Sequence, residues 1–462
     1  MTAKANLRDG NLRDSAVSIL TATDPGWDEA RRAWNLAVDQ QPAAIARPAS
    51  AQDVVAAVGY ARRHGLRVTA QGTGHNARPL GRLSDTLLIK TDAMRQVTVD
   101  PDRMTARAAA GARWQDVADA AAEWGLAGLA GSSPDVGVVG YTLGGGLSWL
   151  GRAYGLSANN VEGFEVVTAD GRLRRADADS EPDLFWALRG GGGSFGVVTA
   201  VDLRLFPVTE VHAGLLWWPI AAAPDVLQAW RELTDSGLPK EFTTTARLMR
   251  FPDIAEIPEP ARGGSFVVID VVHLSSQTEA DQILTPLRAL RPVIDTIHAR
   301  PARELGQLHM DPANPVPVAG DGLLLDTLPA EAIDGIIKLA GPEADTPLLA
   351  VELRHLGGEL GRARPGNGAL AAINADYALF CVGLVSGPES AAAVTGGVSS
   401  VQGAMSPWTA RQHYLNFTET SPDDPATFWD PQAYKLLRRI KAMVDPQDRI
   451  RSNHPIPPAV AD

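Results

Sequence analysis

Cysteine is nearly absent from the 462 residues, since the sequence contains a single one, Cys381. One thiol excludes an intrachain disulfide framework and any metal site built from several cysteines. Long apolar runs are missing too, because no window reaches the roughly 18 apolar residues of a membrane span. The N-terminal stretch MTAKANLRDGNLRD carries charges where a secretion signal would need an apolar segment. We therefore expect a cytoplasmic protein without a membrane partner.

Positive charge is scarce relative to negative charge. The 42 lysines and arginines stand against 54 aspartates and glutamates, which gives a formal net charge of −12. Nucleic-acid affinity rests on basic side chains that neutralise phosphates, so we predict no nucleic-acid partner. Apolar residues make up 45% of the sequence, a share typical of a globular chain with a sizeable core. The length fits two or three domains.

Glycine, by contrast, is concentrated in three clusters, at 72–74, 144–146 and 190–193. Such clusters either form tight turns or place bare N–H groups around a pyrophosphate. The segment Gly72–Ala77 fits the dinucleotide fingerprint G-x-G-x-x-A, but Pro79 follows where a Rossmann fold needs a helix. The segment Gly191–Gly196 fits G-x-G-x-x-G, but it lies between a predicted helix and a strand, which is the wrong order. The usual nicotinamide-dehydrogenase fold is therefore excluded.

A single histidine, His75, directly follows the first of these clusters, in the same predicted loop. The position of a histidine in a loop does not by itself show that its side chain is reactive. No H-x-x-H or H-E-x-x-H spacing surrounds His75, so we predict no zinc or other metal site.

Apolar periodicity predicts an α+β fold. Before residue 207, short strands alternate with amphipathic helices, one of which begins at the capping pair Ser50 and Asp53. After Pro207, longer apolar segments alternate with helices, which predicts one antiparallel sheet with helices on one face. The predicted strand Leu348–His355 places Glu352 and Arg354 on the same face. We also predict loops at 311–320 and 357–368, and a strand at His413–Phe417 before a closing helix.

The order of these segments resembles the FAD-linked oxidases of the vanillyl-alcohol-oxidase/PCMH superfamily and, within it, the berberine-bridge-enzyme-like family. The resemblance covers nearly the whole chain, and each matching motif is weak when taken alone. The motifs stand in family-like order and spacing: Ala70–Asn76, Gly131–Gly140, Leu143–Gly146, Tyr154–Leu156, Leu184–Gly193, Phe195–Thr199, Tyr414–Phe417 and Val444–Pro446.

The resemblance implies a division of the chain. A PCMH-type FAD-binding domain of two α+β subdomains would cover 1–206, with its core at about 40–206. A substrate-binding domain, an antiparallel sheet backed by helices, would cover 207–406. A C-terminal segment, 407–462, would return to the FAD domain.

The resemblance also implies that FAD is bound covalently through His75. Many family members add a second link through a cysteine, and because Ser133 stands at that position we expect a single link. Val136 corresponds to a position beside the flavin where valine is typical of oxygen-reactive members, and Asn416 should face the flavin edge. The residues expected to hold the cofactor are Gln71, Gly72, Thr73, Gly74, His75, Asn76, Ser133, Val136, Gly137, Gly140, Gly144, Gly145, Gly146, Val198 and Asn416.

The expected activity is oxidation of a small organic molecule, a secondary-metabolite alcohol or amine, by hydride transfer to FAD and then to O2 to give H2O2. The related sugar and alcohol oxidases have a tyrosine base where this sequence has Phe417, which cannot take a proton. If 413–417 is a strand, Tyr414 and Asn416 face away from Phe417 and cannot simply replace it.

We therefore name Tyr414, Glu352 and Asn416 as candidate catalytic residues, with Arg354 and Tyr377 as candidate substrate contacts. Arg247 and His273 are weaker candidates. Two alternatives remain open at this point: a dehydrogenase that uses another electron acceptor, and a flavin-loaded protein that binds or sequesters a small molecule without turnover.

Overall fold

The computed structural model describes residues 17–255, 257, 259 and 261–460. The N-terminal stretch that we interpreted from its charges lies outside the described residues. Within the described part, no helix is both long and apolar enough to cross a membrane.

The first sheet has four strands in the order β1-β2-β4-β3. Its strands β2, β4 and β3 run parallel, and β1 pairs antiparallel with β2. Ser50 Oγ accepts a hydrogen bond from the Asp53 backbone N–H (3.2 Å), so the predicted capping pair opens α2. The elements are β1 (Ile19–Leu20), α1 (Trp27–Ala30), β2 (Ala44–Ala46), α2 (Ala51–Arg63), β3 (Arg67–Gln71) and β4 (Thr86–Lys90).

The second sheet has five antiparallel strands in the order β5-β6-β9-β7-β8. Its core is continuous with residues of the C-terminal segment, such as Tyr414 and Leu437. The elements are β5 (Val97–Asp100), β6 (Thr105–Ala109), α3 (Trp114–Ala122), α4 (Val138–Leu143), α5 (Gly151–Tyr154), β7 (Val161–Val167), β8 (Leu173–Asp177), α6 (Pro182–Leu188) and β9 (Val197–Arg204).

The third sheet confirms the predicted antiparallel sheet. Its eight strands follow the order β13-β10-β12-β11-β16-β17-β15, with β14 beside β10. The predicted loop 311–320 is too long, because β15 begins at Val318. The elements are β10 (Glu210–Pro219), α7 (Ala223–Asp235), β11 (Phe242–Arg250), β12 (Ser265–His273), α8 (Gln277–Ala289), β13 (Ile294–Asp295), β14 (His298–Pro301), β15 (Val318–Leu325), α9 (Ala330–Ala340), β16 (Ala350–His355), β17 (Tyr377–Leu384) and α10 (Pro388–Met405).

Alternation along β16 decides which side chains reach each face of the third sheet. Val351 and Leu353 lie in the core shared with α7, α9 and α10. Glu352 and Arg354 therefore point to the other face, as the sequence predicted. That face contacts residues of the preceding segments, among them Trp149.

The predicted strand His413–Phe417 is wrong. The segment is a turn in which the backbone N–H groups of Phe417 and Thr418 both donate to the Tyr414 carbonyl oxygen, at 3.0 and 3.1 Å. A short apolar run resembles a strand in sequence, but here local bonds close it into a turn. Tyr414 and Phe417 therefore do not lie on opposite faces of a strand.

The closing helix α11 (Pro431–Val444) begins at Asp430, whose side chain accepts from the Gln432 N–H. Short 3-10 helices complete the described elements, at Arg78–Leu80, Ser157–Asn160, Ile220–Ala222, Ala302–Gln307, Gly358–Gly361, Ser406–Trp408 and Pro425–Phe428.

Lys441 anchors α11 to the rest of the protein. Its Nζ atom is fully buried and donates to the carbonyl oxygens of Ser194 (2.8 Å) and Ile450 (3.0 Å) and to Asp445 Oδ2 (2.6 Å). Asp445 is equally buried. Removing one partner of such a pair leaves an uncompensated charge in the interior.

We predict that Lys441→Met lowers the free energy of unfolding by roughly 3–5 kcal/mol, the cost of breaking a buried ion pair. Lys435→Met is the matched control, because Lys435 is exposed on the same helix. Urea unfolding of both variants checks the prediction. Equal stability of the two would show that Lys441 anchors nothing.

Candidate functional site

The loop after β3 is held in shape by its own residues. Gly74 has φ +88°, and a Cβ atom there would lie 2.6 Å from Gln71 Nε2, so a larger residue would be strained. Asn76 Nδ2 donates to the carbonyl oxygens of Leu415 (3.0 Å) and Thr418 (3.3 Å). Gln71 Oε1 and Asn76 Oδ1 are buried and have no hydrogen-bond partner among the described residues. Buried acceptors of this kind are normally satisfied, so the loop is built to meet a further donor.

His75 lies between an aromatic ring and a carboxylate. Its ring stacks on Trp34 with centroids 4.2 Å apart and an interplanar angle of 21°. Its Nε2 atom is 3.4 Å from Asp135 Oδ1. The same carboxylate accepts hydrogen bonds from Trp34 Nε1 (2.5 Å) and Ser133 Oγ (2.9 Å). Sequence reasoning missed Trp34 and Asp135, although Asp135 stands inside the motif 131–140.

Asp135 is ionised at neutral pH. Burial would raise the pKa of this carboxyl group, but the hydrogen bonds from His75, Ser133 and Trp34 outweigh burial and lower it. A negative charge therefore faces the imidazole of His75.

Glycines 144–146 are required by close packing of the chain against itself. A Cβ atom on Gly144 would lie 1.9 Å from Asn416 Oδ1. Gly145 and Gly146 have φ angles of +114° and +79°, which favour glycine. The absence of side chains in this cluster therefore leaves room for Asn416 and its neighbours. The predicted contact between these glycines and the cofactor stays a prediction. A Cβ atom on Gly140, in contrast, would meet nothing within 4 Å.

The other predicted cofactor residues have varied surroundings. Gly137 approaches Thr73, with 3.6 Å between the position of a Cβ atom and Thr73 Oγ1, so the two glycine-rich segments lie side by side. The Val136 carbonyl oxygen accepts from the Trp114 N–H at 3.0 Å, and its side chain is half-buried. Val198 is buried in β9. The predicted contact between Val198 and the cofactor remains a prediction.

The turn at residues 414–417 brings three candidate side chains together. Asn416 Nδ2 donates to the Tyr141 carbonyl oxygen (2.9 Å) and to Tyr414 Oη (3.3 Å). The ring centroid of Phe417 lies 5.4 Å from that of Tyr414 and 5.6 Å from that of Phe380 on β17. Burial raises the pKa of Tyr414 well above its usual value. Tyr414 therefore keeps its proton at neutral pH and is a poor base.

A network of buried charges lies on the face of the third sheet that points away from α7–α10. Glu352 pairs with Arg354 on the same strand, and its Oε2 atom is 3.0 Å from His309 Nε2. His309 Nδ1 lies 2.7 Å from Asp311 Oδ1. Glu352 and His309 are both buried. We call these four side chains, together with Arg247 and Asp270, the charge network.

Arg247 and Asp270 extend the network across two further strands. Arg247 Nη2 on β11 donates to Asp270 Oδ1 on β12 at 2.5 Å. Its Nη1 atom donates to the carbonyl oxygen of His309 at 2.8 Å. Asp270 Oδ2 is buried without a hydrogen-bond partner among the described residues. Asp270 could have been noticed as the charged residue within an apolar strand, whereas nothing in their loop marked His309 and Asp311.

The charge network fixes two protonation states. Burial would raise the pKa of Glu352, but the charges of Arg354 and His309 outweigh burial and hold the pKa well below its usual range. Burial and Arg247 would lower the pKa of His309, but Asp311 and Glu352 outweigh them and raise it to about 9. At neutral pH, Glu352 is therefore an anion and His309 a cation.

Arg354 joins the charge network to the glycine-rich segments. Its Nη2 atom donates to Ser132 Oγ at 3.1 Å, next to Ser133. Its guanidinium lies 5.0 Å from the ring centroid of Phe417 and 5.8 Å from that of Trp149. The candidate catalytic residues and the loop of His75 therefore belong to one continuous site.

The prediction that Tyr377 contacts substrate is corrected by the structure. The Tyr377 hydroxyl bonds Thr234 (2.7 Å) and lies 3.4 Å from Asp235 on α7. Its ring is part of the core beneath the helices. Tyr377 is the first residue of β17 and pairs with His355, which shares the face of Val351 and Leu353. The weaker candidate His273 is also distant from the network, because it faces Glu279 and Phe242.

The site fits a bound FAD better than a metal. The unpartnered acceptors Gln71 Oε1 and Asn76 Oδ1 and the open space at Gly140 suit a large cofactor that carries its own donors. No group of three or more side chains that could hold a metal ion occurs within the described part of the chain.

Comparisons with known proteins agree with this interpretation. Residues 42–177 match the family described as FAD binding domain. The chain is 28% identical to (R)-6-hydroxynicotine oxidase of Paenarthrobacter nicotinovorans over 471 residues, which cover 95% of this chain and 96% of that protein.

Solved structures share the fold. Physcomitrella patens BBE-like 1 superposes with a TM-score of 0.83 at 20% identity, over 97% of this chain and 99% of that one. 6-Hydroxy-D-nicotine oxidase from Arthrobacter nicotinovorans superposes with a TM-score of 0.81 at 24% identity, over 99% of this chain and 100% of that one.

These similarities, added to the glycine-rich loops, define an FAD-dependent oxidoreductase. Residues 42–177 match an FAD-binding domain, the chain is similar over nearly its whole length to an oxidase, and it has the fold of the berberine-bridge-enzyme-like proteins. The predictions of the fold class, of the family and of an FAD-linked enzyme are confirmed.

We predict that His309 stabilises the protein at neutral pH and that this contribution is lost in alkali. The pKa of His309 in the folded protein, about 9, exceeds the ordinary value of about 6.5. Its contribution, on the order of 3 kcal/mol, is therefore complete below pH 6.5 and disappears as the pH rises through 9. The stability difference between wild type and His309→Gln should shrink over that range in urea unfolding.

His298→Gln is the control for this experiment, because His298 is exposed on β14. Its stability difference from wild type should be small at every pH. A difference for His309→Gln that does not change between pH 6.5 and 9.5 would contradict the assignment of a buried imidazolium.

Proposed function

We propose that the protein oxidises a carbon next to the nitrogen of an apolar, ring-containing amine, passing a hydride to FAD and the electrons on to O2 to give H2O2. The observation that carries this proposal is the charge network, in which Arg354 and His309 make Glu352 a poor proton acceptor. Within the broader class of secondary-metabolite alcohols and amines, that favours an amine.

Oxidation of an alcohol requires removal of the O–H proton, which a positioned base accelerates by roughly 10²–10⁴-fold. Phe417 cannot accept a proton. Tyr414 is already protonated, because burial raises its pKa. The pKa of Glu352 is held well below its usual range by Arg354 and His309. None of these three side chains is therefore a suitable base for an alcohol at neutral pH.

Oxidation of a neutral amine needs no such base. Bound FAD supplies the hydride acceptor. The nitrogen lone pair assists departure of the hydride from the adjacent carbon, which leaves an iminium cation, and water converts that cation to a carbonyl compound and an ammonium ion. The ionised Glu352 lies within the site and stabilises positive charge on the nitrogen. Asn416 and the rings of Phe417 and Phe380 give the site an apolar wall with a polar edge.

The similarity to (R)-6-hydroxynicotine oxidase extends over 95% of this chain. The name of that enzyme specifies a nitrogen-containing substrate and an oxidase. We take both properties as support for an amine substrate and for O2 as the acceptor. Val136, half-buried in the motif 131–140, corresponds to the oxygen-reactive position of the family.

FAD would be held by the loop residues 71–76, the segment 133–146 and Asn416, with a single covalent link through His75. The hydroxyl of Ser133, which bonds Asp135, replaces the thiol that a second link requires. The proposed domains are the FAD-binding domain at 1–206, the substrate-binding domain at 207–406 and the returning segment at 407–462.

A dehydrogenase that passes electrons to another acceptor is the second candidate, since it needs the same reductive site. Slow reoxidation of the reduced flavin by air in stopped-flow mixing would favour it. A flavin-loaded binding protein without turnover is the third candidate, and anaerobic bleaching of the flavin by any substrate would exclude it.

We predict that cyclic amines bleach the flavin under anaerobic conditions and release peroxide in air, whereas alcohols and sugars do not. The rate constant of flavin reduction should rise with pH as the substrate amine loses its proton. A non-ionisable amine substrate should give a flat profile between pH 6 and 8. Bleaching by alcohols or sugars alone would sink the proposal.

Glu352→Gln should slow flavin reduction by the same amines roughly 100-fold, because the amide cannot stabilise the cationic product. Glu389→Gln is the control, because Glu389 is exposed on α10. The measurement is anaerobic stopped-flow absorbance at saturating substrate. Equal rates in wild type and Glu352→Gln would remove Glu352 from the catalytic site.

We also predict that acid precipitation of the wild-type protein leaves all its flavin fluorescence with the pellet. His75→Ala should release the flavin into the supernatant, because Ser133 cannot form a second link. Wild-type flavin in the supernatant would disprove the covalent attachment without affecting the oxidoreductase assignment.

A further inference from the structure

Asp135 collects three polar contacts at the edge of the cofactor loop. Trp34 Nε1 and Ser133 Oγ donate to it at 2.5 and 2.9 Å. His75 Nε2 lies 3.4 Å from Oδ1, the oxygen that also accepts from Ser133, and makes no closer polar contact with any described residue. Trp34 also stacks on the His75 ring. One carboxylate and one indole therefore fix the orientation of the imidazole.

A carboxylate next to one ring nitrogen decides which tautomer a neutral histidine adopts. The proton resides on the nitrogen that faces the acceptor, and the other nitrogen keeps its lone pair. For His75 the proton belongs on Nε2, towards Asp135, and Nδ1 is the nucleophilic nitrogen.

We propose that Asp135 is a positioning residue for covalent flavin attachment, which holds His75 as the Nε2–H tautomer and stabilises the cation that forms when Nδ1 bonds to the flavin. The proposal rests on the covalent link described under the proposed function and deepens it. It gives a role to a residue that the family motif does not assign.

Attachment is a two-electron oxidation of the flavin methyl group. The Nδ1 lone pair forms the new bond to the 8α-carbon of the flavin, and that methyl group loses one proton to solvent. Two electrons pass into the flavin ring, and O2 removes them as H2O2. His75 gains positive charge because both its nitrogens are now substituted, with Nε2 still carrying its proton. That charge develops 3.4 Å from the Asp135 carboxylate.

The neighbouring contacts separate this role from a merely structural one. Ser133 bonds the same carboxylate but does not orient His75 in the described contacts. Removing the negative charge of Asp135 should therefore slow attachment. The backbone hydrogen bond from the Trp34 N–H to the Thr73 carbonyl oxygen (2.9 Å) is not touched by that substitution.

The test compares wild type with Asp135→Asn and with Asp102→Asn, a control on the exposed turn between β5 and β6. Each purified protein is incubated in air with excess FAD. Total bound flavin is read from absorbance, and the covalent fraction from the fluorescence of acid-precipitated protein and the mass of the His75 peptide. Melting temperatures report on folding.

We expect Asp135→Asn to bind a full complement of flavin but to attach it ~10–100-fold more slowly, the usual loss when the partner that orients a functional histidine is removed. Asp102→Asn should match wild type. A bound but unattached flavin is a result that misfolding would not give, because a misfolded loop would lose the flavin altogether.

Two outcomes overturn the proposal. Attachment in Asp135→Asn at the wild-type rate would show that the carboxylate does not act on His75. Loss of flavin binding and attachment together would show that Asp135 only holds the loop in place. Release of flavin by the wild-type protein would instead disprove the covalent link itself and, with it, any role in attachment.

Discussion

The site depends on the pairing of Glu352 with Arg354 and His309 in the middle of the eight-stranded sheet. Charges this deeply buried must be compensated, so each partner sets the protonation state of the next. Arg354 then carries the network to Ser132, beside the residues that face His75. In the sequence, Glu352 resembles a catalytic base. In the fold, Arg354 and His309 compensate its negative charge and make it a poor proton acceptor, and the proposed chemistry follows from this.

The sequence predicted the fold and one face of the site with useful accuracy. Alternation in Leu348–His355 placed Glu352 and Arg354 together, because a half-buried strand must separate its polar and apolar side chains. The glycines at 72–74 marked the loop after β3. Alternation failed at Tyr414–Phe417, where local backbone bonds form a turn, and a single aromatic position gave no warning that Tyr377 belongs to the helix-facing core.

The sequence could not reveal which distant segments of the chain contact one another. His309 and Asp311 lie in a loop without a motif, and they matter because β16 brings Glu352 against them. Trp34 and Asp135 are about a hundred residues apart, yet together they fix one imidazole. Such pairings depend on tertiary packing, which neither spacing nor composition encodes.

The hydrogen bonds from Asn76 to the carbonyl oxygens of Leu415 and Thr418 have a consequence for biosynthesis. The loop that carries His75 is synthesised more than three hundred residues before its two backbone partners. Lys441 on α11 holds the C-terminal segment in place by bonding the Ser194 carbonyl oxygen. The loop of His75 is therefore completed only after residues 415–441 have been synthesised, and a chain truncated before them should lack these bonds.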